Sequence, residues 1–441
     1  MIFLCIISIQ FIKHVLTVNK KTKVLVSSVI GNGLEFYDFT LFGAFAIKFS
    51  TLFSSPESSE VYKGLMSLLI FGIGFFARPL GALFFGSMGD RWGRKNALSL
   101  SIILMGISTL MIGCLPTYAS WGLAAPIALT LIRCLQGFCL GGENNGSAIF
   151  FLEHLKERKG LAGALILTGG AVGTLLAYAF SAITSLEGMP EYAWRIPFIV
   201  GLLIGLLGLY IRKSLPETDE FLASSHLPHR QHQLVLTTVW REYRRPFLCT
   251  IGIGGVNVAL AYTTTTYLHF YMAKVVHLNI INALMCTCVA ITLFGGFFAP
   301  LMGHLSDKFS AHRVMYVGCL ATSFLAFPLF WMLSSGTPLG IAMGIVTTSF
   351  LMGAFNGPTN AYLNTLFPPQ VRYTAIAFGY AIGAAVFGGL ASYYYQWLIV
   401  LTHNNLAPAL YMIFMGALGA LSLRCSQKAS ESPLSGLAKA S

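Results

Sequence analysis

The sequence predicts an all-α membrane protein of twelve transmembrane helices, arranged as two pseudo-symmetric six-helix bundles. Three observations carry this prediction. The 441 residues are 55% hydrophobic and 10% charged, with a mean hydropathy of +0.71; a soluble domain is about 25% charged. Apolar stretches of the roughly 20 residues that a span needs recur about twelve times. A charged segment at 86–96, GSMGDRWGRKN, returns in altered form at 303–313 as GHLSDKFSAHR, where Asp307 matches Asp90 at an offset of 217 positions. Each copy follows two apolar runs, as expected of two homologous halves.

The net charge of +12, from 28 basic and 16 acidic residues, would suggest nucleic acid in a soluble chain. Here the basic residues fall in short loops on alternate sides, so the charge reports topology and no nucleic-acid partner is expected. Arg212, Lys213, Arg230, Arg241, Arg244 and Arg245 gather around the central segment, while Lys63, Arg195 and Lys274 stand on the other side. The central segment and both termini are therefore expected in the cytoplasm. The expected division is an N-terminal segment (1–23), a first bundle (24–212), a central linker (213–246), a second bundle (247–423) and a tail (424–441). The nine cysteines lie mostly within apolar runs without metal-ligand spacing, so no metal or cofactor is expected. No nucleophile–base set, HExxH or GxSxG appears, which argues against an enzyme. The apolar first 16 residues lack a basic n-region and a cleavage site, and no function is assigned to them.

In the first half, spans are expected near 24–53, 64–85, 96–115, 122–142, 161–186 and 194–211. The first carries GNGLEFYDFTLFG. Its Glu35 and Asp38, three residues apart, share a helical face, and acids inside a membrane are costly unless they face protein or water. They are candidates for binding a proton or a cation, with the neighbouring Tyr37 a candidate substrate contact. Arg78, followed by Pro79 in the second span, needs a partner or must snorkel; an acid of the first span is one option. The 86–96 segment reads as a tight turn at the lipid surface. There Asp90 can meet the amides of a helix N-terminus, while Arg91 and Arg94 hold the turn to one side. The fourth span carries RCLQGFCLGGENNG. Arg133 and Gln136 share a face, Gly137 and Gly141 permit a close helix crossing, and Glu143 falls about 15 Å further along the axis. Arg133 is deep enough to be an anion contact or a gating salt bridge.

The central linker contains His226, His229 and His232; without a nearby carboxylate they read as a solvated stretch. In the second half, spans are expected near 247–272, 282–302, 314–333, 339–363, 375–398 and 406–423. The seventh carries YTTTTYLHFY. Its threonines can hydrogen-bond within the helix, yet Asn257, Tyr262, Thr266 and Tyr267 are candidates to line a central cavity. His269 approaches the outer surface. The tenth span ends in NGPTNAYLNTLFPPQVRYTA, where Asn356 is a candidate contact and Arg372 a candidate for the inner network with Asp307 and Arg313. In the eleventh span Tyr393, Tyr394 and Tyr395 either coat a pocket, Tyr394 being the candidate contact, or form an interfacial aromatic belt.

These motifs resemble the major facilitator superfamily of secondary transporters, whose loop signature is G-x-x-x-D-R-x-G-R-[RK]. The first copy matches it closely, while in the second Ser310 and His312 replace the glycine and a basic residue. The patterns G-N-x-x-E-[WF]-Y-D-F, R-x-x-Q-G-x-x-x-G-G-E, R-x-S-L-P-E-T-x-x-F and G-P-x-x-A-x-L-x-x-x-F-P-x-x-V-R-Y-[ST] are similar to the metabolite:proton symporters within it. This chain departs from them at Phe36, at Thr365 in place of glutamate, which leaves Arg372 without an expected neighbour, and at Ser392 in place of proline. The resemblance implies a proton-linked site at Asp38 and Glu35, a substrate-proximal Arg133 and an inner network that includes Glu143. It implies import of a small organic acid or zwitterionic metabolite with protons by alternating access in a bacterial inner membrane, with a monomer sufficient. A proton-independent facilitator or exchanger, and a non-transporting receptor, are the alternatives. The tail lacks the heptads of osmosensory relatives, which argues against osmotic regulation and against proline or betaine as the main cargo.

Overall fold

A computed structural model describes residues 20–92, 94–141, 152, 158–213 and 239–437; the side chains of 20–30, most of 86–98, 207–208, 210–213, 369–370 and those after 427 lie outside the description. The first pass is Lys20–Ala44, continued by Ala46–Leu52. The second is Glu60–Ile73, a single 3₁₀ turn at Gly74–Ala77, then Arg78–Trp92. The third to sixth are Arg94–Cys114, Ala124–Gly141, Lys159–Thr184 and Ile196–Lys213. The seventh runs from Arg244 to Lys274, the eighth from Ile280 to Phe309, and the ninth and tenth are Ala311–Ser334 and Pro338–Leu363. The eleventh begins at Pro369 and ends at Thr402, and the twelfth is Pro408–Leu437. Among the described residues nine helices are long and apolar enough to cross a bilayer; the first, third and sixth passes complete the twelve.

Two expectations change. The segment 86–96, expected as a tight turn throughout, is mostly helical: one helix continues to Trp92 and the next begins at Arg94. Position 93 lies outside the described residues. Its counterpart 217 positions on is Ser310, which breaks the helix at φ 81°, ψ 139° and caps the next one by accepting from the Arg313 amide. That backbone favours glycine. The twelfth helix also continues past the expected end near 423, through a polar stretch to Leu437.

Glycines set the closest crossings, since small residues let backbones approach in lipid. A Cβ at Gly137 would lie 1.6 Å from the Gly74 carbonyl oxygen, and one at Gly141 would lie 2.1 Å from that of Arg78. The second and fourth passes therefore meet as the spacing predicted, which fixes Arg78 and Arg133 beside one another.

The two halves touch at both edges of their interface. At the outer edge Lys274 reaches Glu60 at 3.1 Å, and Glu60 also holds Lys63 at 3.1 Å. At the inner edge Asp307 of the eighth pass accepts from the amides of Gly160 and Leu161 at 2.7 and 3.0 Å. The fifth pass has no side-chain cap of its own at Arg158, so the opposite half supplies it. Asn360 adds a 3.4 Å bond to the Gly163 carbonyl.

Candidate functional site

Arg133 is 0% exposed, near the middle of the fourth pass. Its Nη1 donates to Gln136 Oε1 at 2.7 Å and to the Phe39 carbonyl at 3.4 Å, and its Nη2 donates to the Phe71 carbonyl at 3.4 Å. The guanidinium carbon sits 4.4, 4.6 and 5.2 Å from the ring centres of Phe39, Phe42 and Phe71. Nε has no hydrogen-bond partner among the described residues. A buried cation is normally paired with an acid; here, among the described residues, it meets only ring faces, an amide and two carbonyls.

Arg78, 4% exposed, shares the same ring. Its guanidinium carbon lies 4.5 Å from the Phe39 centroid and 4.0 Å from that of Phe75. The 3₁₀ turn before it carries Phe75 and delivers this geometry. Two cations therefore bracket one aromatic cluster, which Tyr262 of the seventh pass closes from the other half, its ring 5.0 Å from Phe71 and 5.1 Å from Phe75.

From Arg133 a polar chain leads into the first half. Gln136 Nε2 donates to Thr109 Oγ1 at 3.0 Å, and Thr109 stands against the Asp38 carboxyl. Gly201 of the sixth pass makes room for that carboxyl, since a Cβ there would lie 2.6 Å from Asp38 Oδ1. Asp38 Oδ1 has no hydrogen-bond partner among the described residues. Glu35 is buried too but points elsewhere, within electrostatic range of Tyr262. The three-residue spacing puts the two acids on adjoining rather than identical directions, one toward the bundle interior and one toward the opposite half.

Tyr37 does not join this group: its hydroxyl donates to the Pro197 carbonyl at 2.9 Å. In the second half Asn257 accepts from the Tyr380 hydroxyl at 2.6 Å. Thr263, Thr264 and Thr265 donate to carbonyls four residues back, as anticipated for a threonine run. Thr266 Oγ1 has no such bond and faces the Tyr178 hydroxyl, and neither Tyr267 Oη nor Asn356 Oδ1 has a hydrogen-bond partner among the described residues. The run lies in a π-turn, Thr263–Tyr267, one of three in the second half, with Phe294–Phe298 and Ala384–Gly388. Such turns widen a helix and recur at functional sites. Tyr394 is half-buried with its ring 5.2 Å from Tyr411, whereas Tyr395 is fully buried and bonds Thr263 at 2.8 Å.

At the inner side Arg313 is exposed, and Arg372 Nε donates to the Phe367 carbonyl at 3.1 Å, so the absence of glutamate at 365 does not strand it. The side chains of Asp90, Arg91 and Arg94, and all of Glu143 and the three linker histidines, lie outside the described residues. Sequence reasoning passed over Phe39 and Thr109, and among the three tyrosines it singled out Tyr394 rather than Tyr395. Phe39 stands beside Asp38 in an already singled-out motif, while nothing in the apolar run around Thr109 distinguishes it.

A helical membrane bundle with buried cations at a central interface, closed at both edges by contacts between its halves, is a secondary transporter. Residues 29–392 match the Major Facilitator Superfamily, and the chain belongs to that family. It is 30% identical over 436 residues to the proline/betaine transporter of Salmonella typhimurium, covering 95% of this chain and 85% of the relative. It is also 30% identical to a glycine betaine/proline/ectoine/pipecolic acid transporter of Dickeya dadantii (94% and 85% covered) and 32% identical to a putative proline/betaine transporter of Staphylococcus aureus (91% and 87%). Among solved structures, a D-xylose-proton symporter superposes with a TM-score of 0.70 at 19% identity, covering 91% of this chain and 96% of that one. The protein is therefore a multi-pass carrier of the bacterial inner membrane and not an enzyme.

Proposed function

We propose that this carrier imports a small zwitterionic or carboxylate-bearing metabolite together with protons, Arg133 receiving the carboxylate and Asp38 the proton. The observation that carries this reading is the guanidinium of Arg133, fully buried at the bundle centre and without a carboxylate partner among the described residues. An arriving carboxylate supplies the bidentate partner that the protein withholds. Gln136 and Thr109 connect that event to Asp38, so the loads sit on one polar chain. Moving a carboxylate between membrane faces costs less once it carries a proton. The loaded and the empty carrier are then the two forms that change face readily.

The names of the relatives put zwitterions of the proline and betaine kind first in the panel, against the expectation drawn from the tail, with citrate-like acids behind them. The test is uptake into proteoliposomes under an imposed inward proton gradient, for proline, glycine betaine, 2-oxoglutarate, succinate, citrate and shikimate. Gradient-driven accumulation of one solute, abolished by a protonophore and by Asp38→Asn, is expected. Equal accumulation without a gradient would make the protein a facilitator.

A further inference from the structure

A second polar cluster lies outward of Tyr262 and takes no part in the scheme above. His269, Thr266 and Tyr178 are each 0% exposed. His269 and Thr266 belong to the seventh pass and Tyr178 to the fifth, so the cluster joins the two halves. The Tyr178 ring meets the imidazole edge-on with centroids 5.3 Å apart. Gly43 of the first pass presses in from the side, where a Cβ would lie 2.6 Å from Thr266 Oγ1. His269 Nε2 lacks a hydrogen-bond partner among the described residues, and the Tyr178 and Thr266 hydroxyls face one another with no other partner there.

The chemistry of the unmet group on His269 can be read. Nδ1 lies 3.2 Å from the Thr265 carbonyl oxygen. A carbonyl only accepts, so Nδ1 carries the hydrogen and Nε2 of the neutral ring presents a bare lone pair. The two hydroxyls can donate or accept; Nε2 can only accept. Buried polar groups are almost always satisfied, and an unmet imidazole nitrogen beside two hydroxyls that have only each other marks a place where a ligand completes the set. Thr266 follows Tyr262 by four residues and His269 by seven, so the cluster begins about 6 Å outward of the Arg133 and Arg78 cluster and ends about 10 Å outward.

We propose that Tyr178, Thr266 and His269 form a cargo subsite that requires an N–H or O–H donor on the solute, and so selects ammonium or hydroxyl groups over a fully N-alkylated nitrogen. The proposal rests on the carboxylate-solute reading above and adds the specificity to it. A secondary ammonium such as that of proline has hydrogens for Nε2; a quaternary nitrogen has none.

The test uses the full-length protein and a series that differs only at nitrogen: proline, N-methylproline and N,N-dimethylproline. Uptake in proteoliposomes and ligand-induced thermal stabilisation in detergent are measured for each. The wild type is expected to favour proline over N,N-dimethylproline at least tenfold in kcat/KM, with N-methylproline between. His269→Leu is expected to collapse that ratio through the KM for proline, and Tyr178→Phe to narrow it. His269→Gln, whose amide oxygen again accepts, is expected to restore most of it and guards against a misfolded leucine variant. A wild type that prefers the dimethylated solute, or a ratio unmoved in an active His269→Leu, overturns the subsite and leaves the transport reading standing. Stabilisation by proline that His269→Leu removes, without uptake of any solute, keeps the subsite and overturns transport. No stabilisation and no uptake by any member overturns both.

Discussion

The inner contact of Asp307 gives the clearest handle on alternation, because it exists only while the cytoplasmic edge is closed. Its carboxylate accepts from the Gly160 and Leu161 amides at 2.7 and 3.0 Å, across the boundary between halves. Losing a helix cap costs about 0.5–2 kcal/mol, and the interaction of a negative charge with a helix N-terminus is worth about 0.3–1 kcal/mol. Asp307→Ala should thus remove about 1–2 kcal/mol from the inner-closed state, a population shift of about 5- to 30-fold. Asp307→Asn keeps one oxygen acceptor but loses the other, and with it one of the two amide bonds and the charge, so its shift should fall short of the alanine variant's. Spin labels at Lys159 and Arg313, exposed residues on either side of the contact, report the balance in a cysteine-free background. The alanine variant should show a longer distance component that asparagine produces weakly. An unchanged distance distribution in the alanine variant would refute the argument that this cap holds the inner edge.

Asp38→Asn should abolish gradient-driven accumulation while sparing solute exchange between two loaded faces, which counterflow measures. Wild-type uptake should fall as external pH rises, since proton loading precedes the inward step. Arg133→Lys should raise KM at least tenfold, because an ammonium cannot reproduce the planar fork or its stacking on Phe39, Phe42 and Phe71; a KM within twofold would place the carboxylate elsewhere. Gly137→Leu should prevent a stable fold, as its Cβ would meet the Gly74 oxygen at 1.6 Å; a monodisperse, active variant would contradict the crossing. Glu60→Gln should have a small, salt-sensitive effect, since exposed pairs are worth about 0–1 kcal/mol.

The passes and the repeated charged segment were legible because hydrocarbon thickness dictates span length and charge cannot enter it. The Gly137 and Gly141 crossing was legible for the same kind of reason, as backbone contact demands that spacing. The direction of Asp38 was not. A helix three residues on has turned 60° short of a full turn, and which neighbour fills that angle depends on Thr109 and Gly201, distant in sequence. Tyr394 and Tyr395 differ by one position in a run of three tyrosines, and only packing shows that Tyr395 is the one bonded to Thr263. Helix at 86–92 was missed because polar composition signals exposure rather than the absence of helix.

The buried charges are divided unequally, and the division bears on how the halves move. Glu35, Asp38, Arg78 and Arg133 are all buried, and all belong to the first half. Among the described residues the second half buries no Asp, Glu, Lys or Arg; it meets the first through neutral groups such as Tyr262, Thr266 and His269. Breaking a buried ion pair by taking one partner away costs about 3–5 kcal/mol, and rocking across such a pair would incur that cost in every cycle. With no buried charge on the second half among these residues, no such pair spans the interface there. The charged contacts between halves lie at its two edges, where Glu60 and Asp307 are exposed to water and their loss is cheap. In the proposed cycle, the charge that cargo or proton neutralises thus travels with the first half, and the second moves past it on hydroxyls and rings.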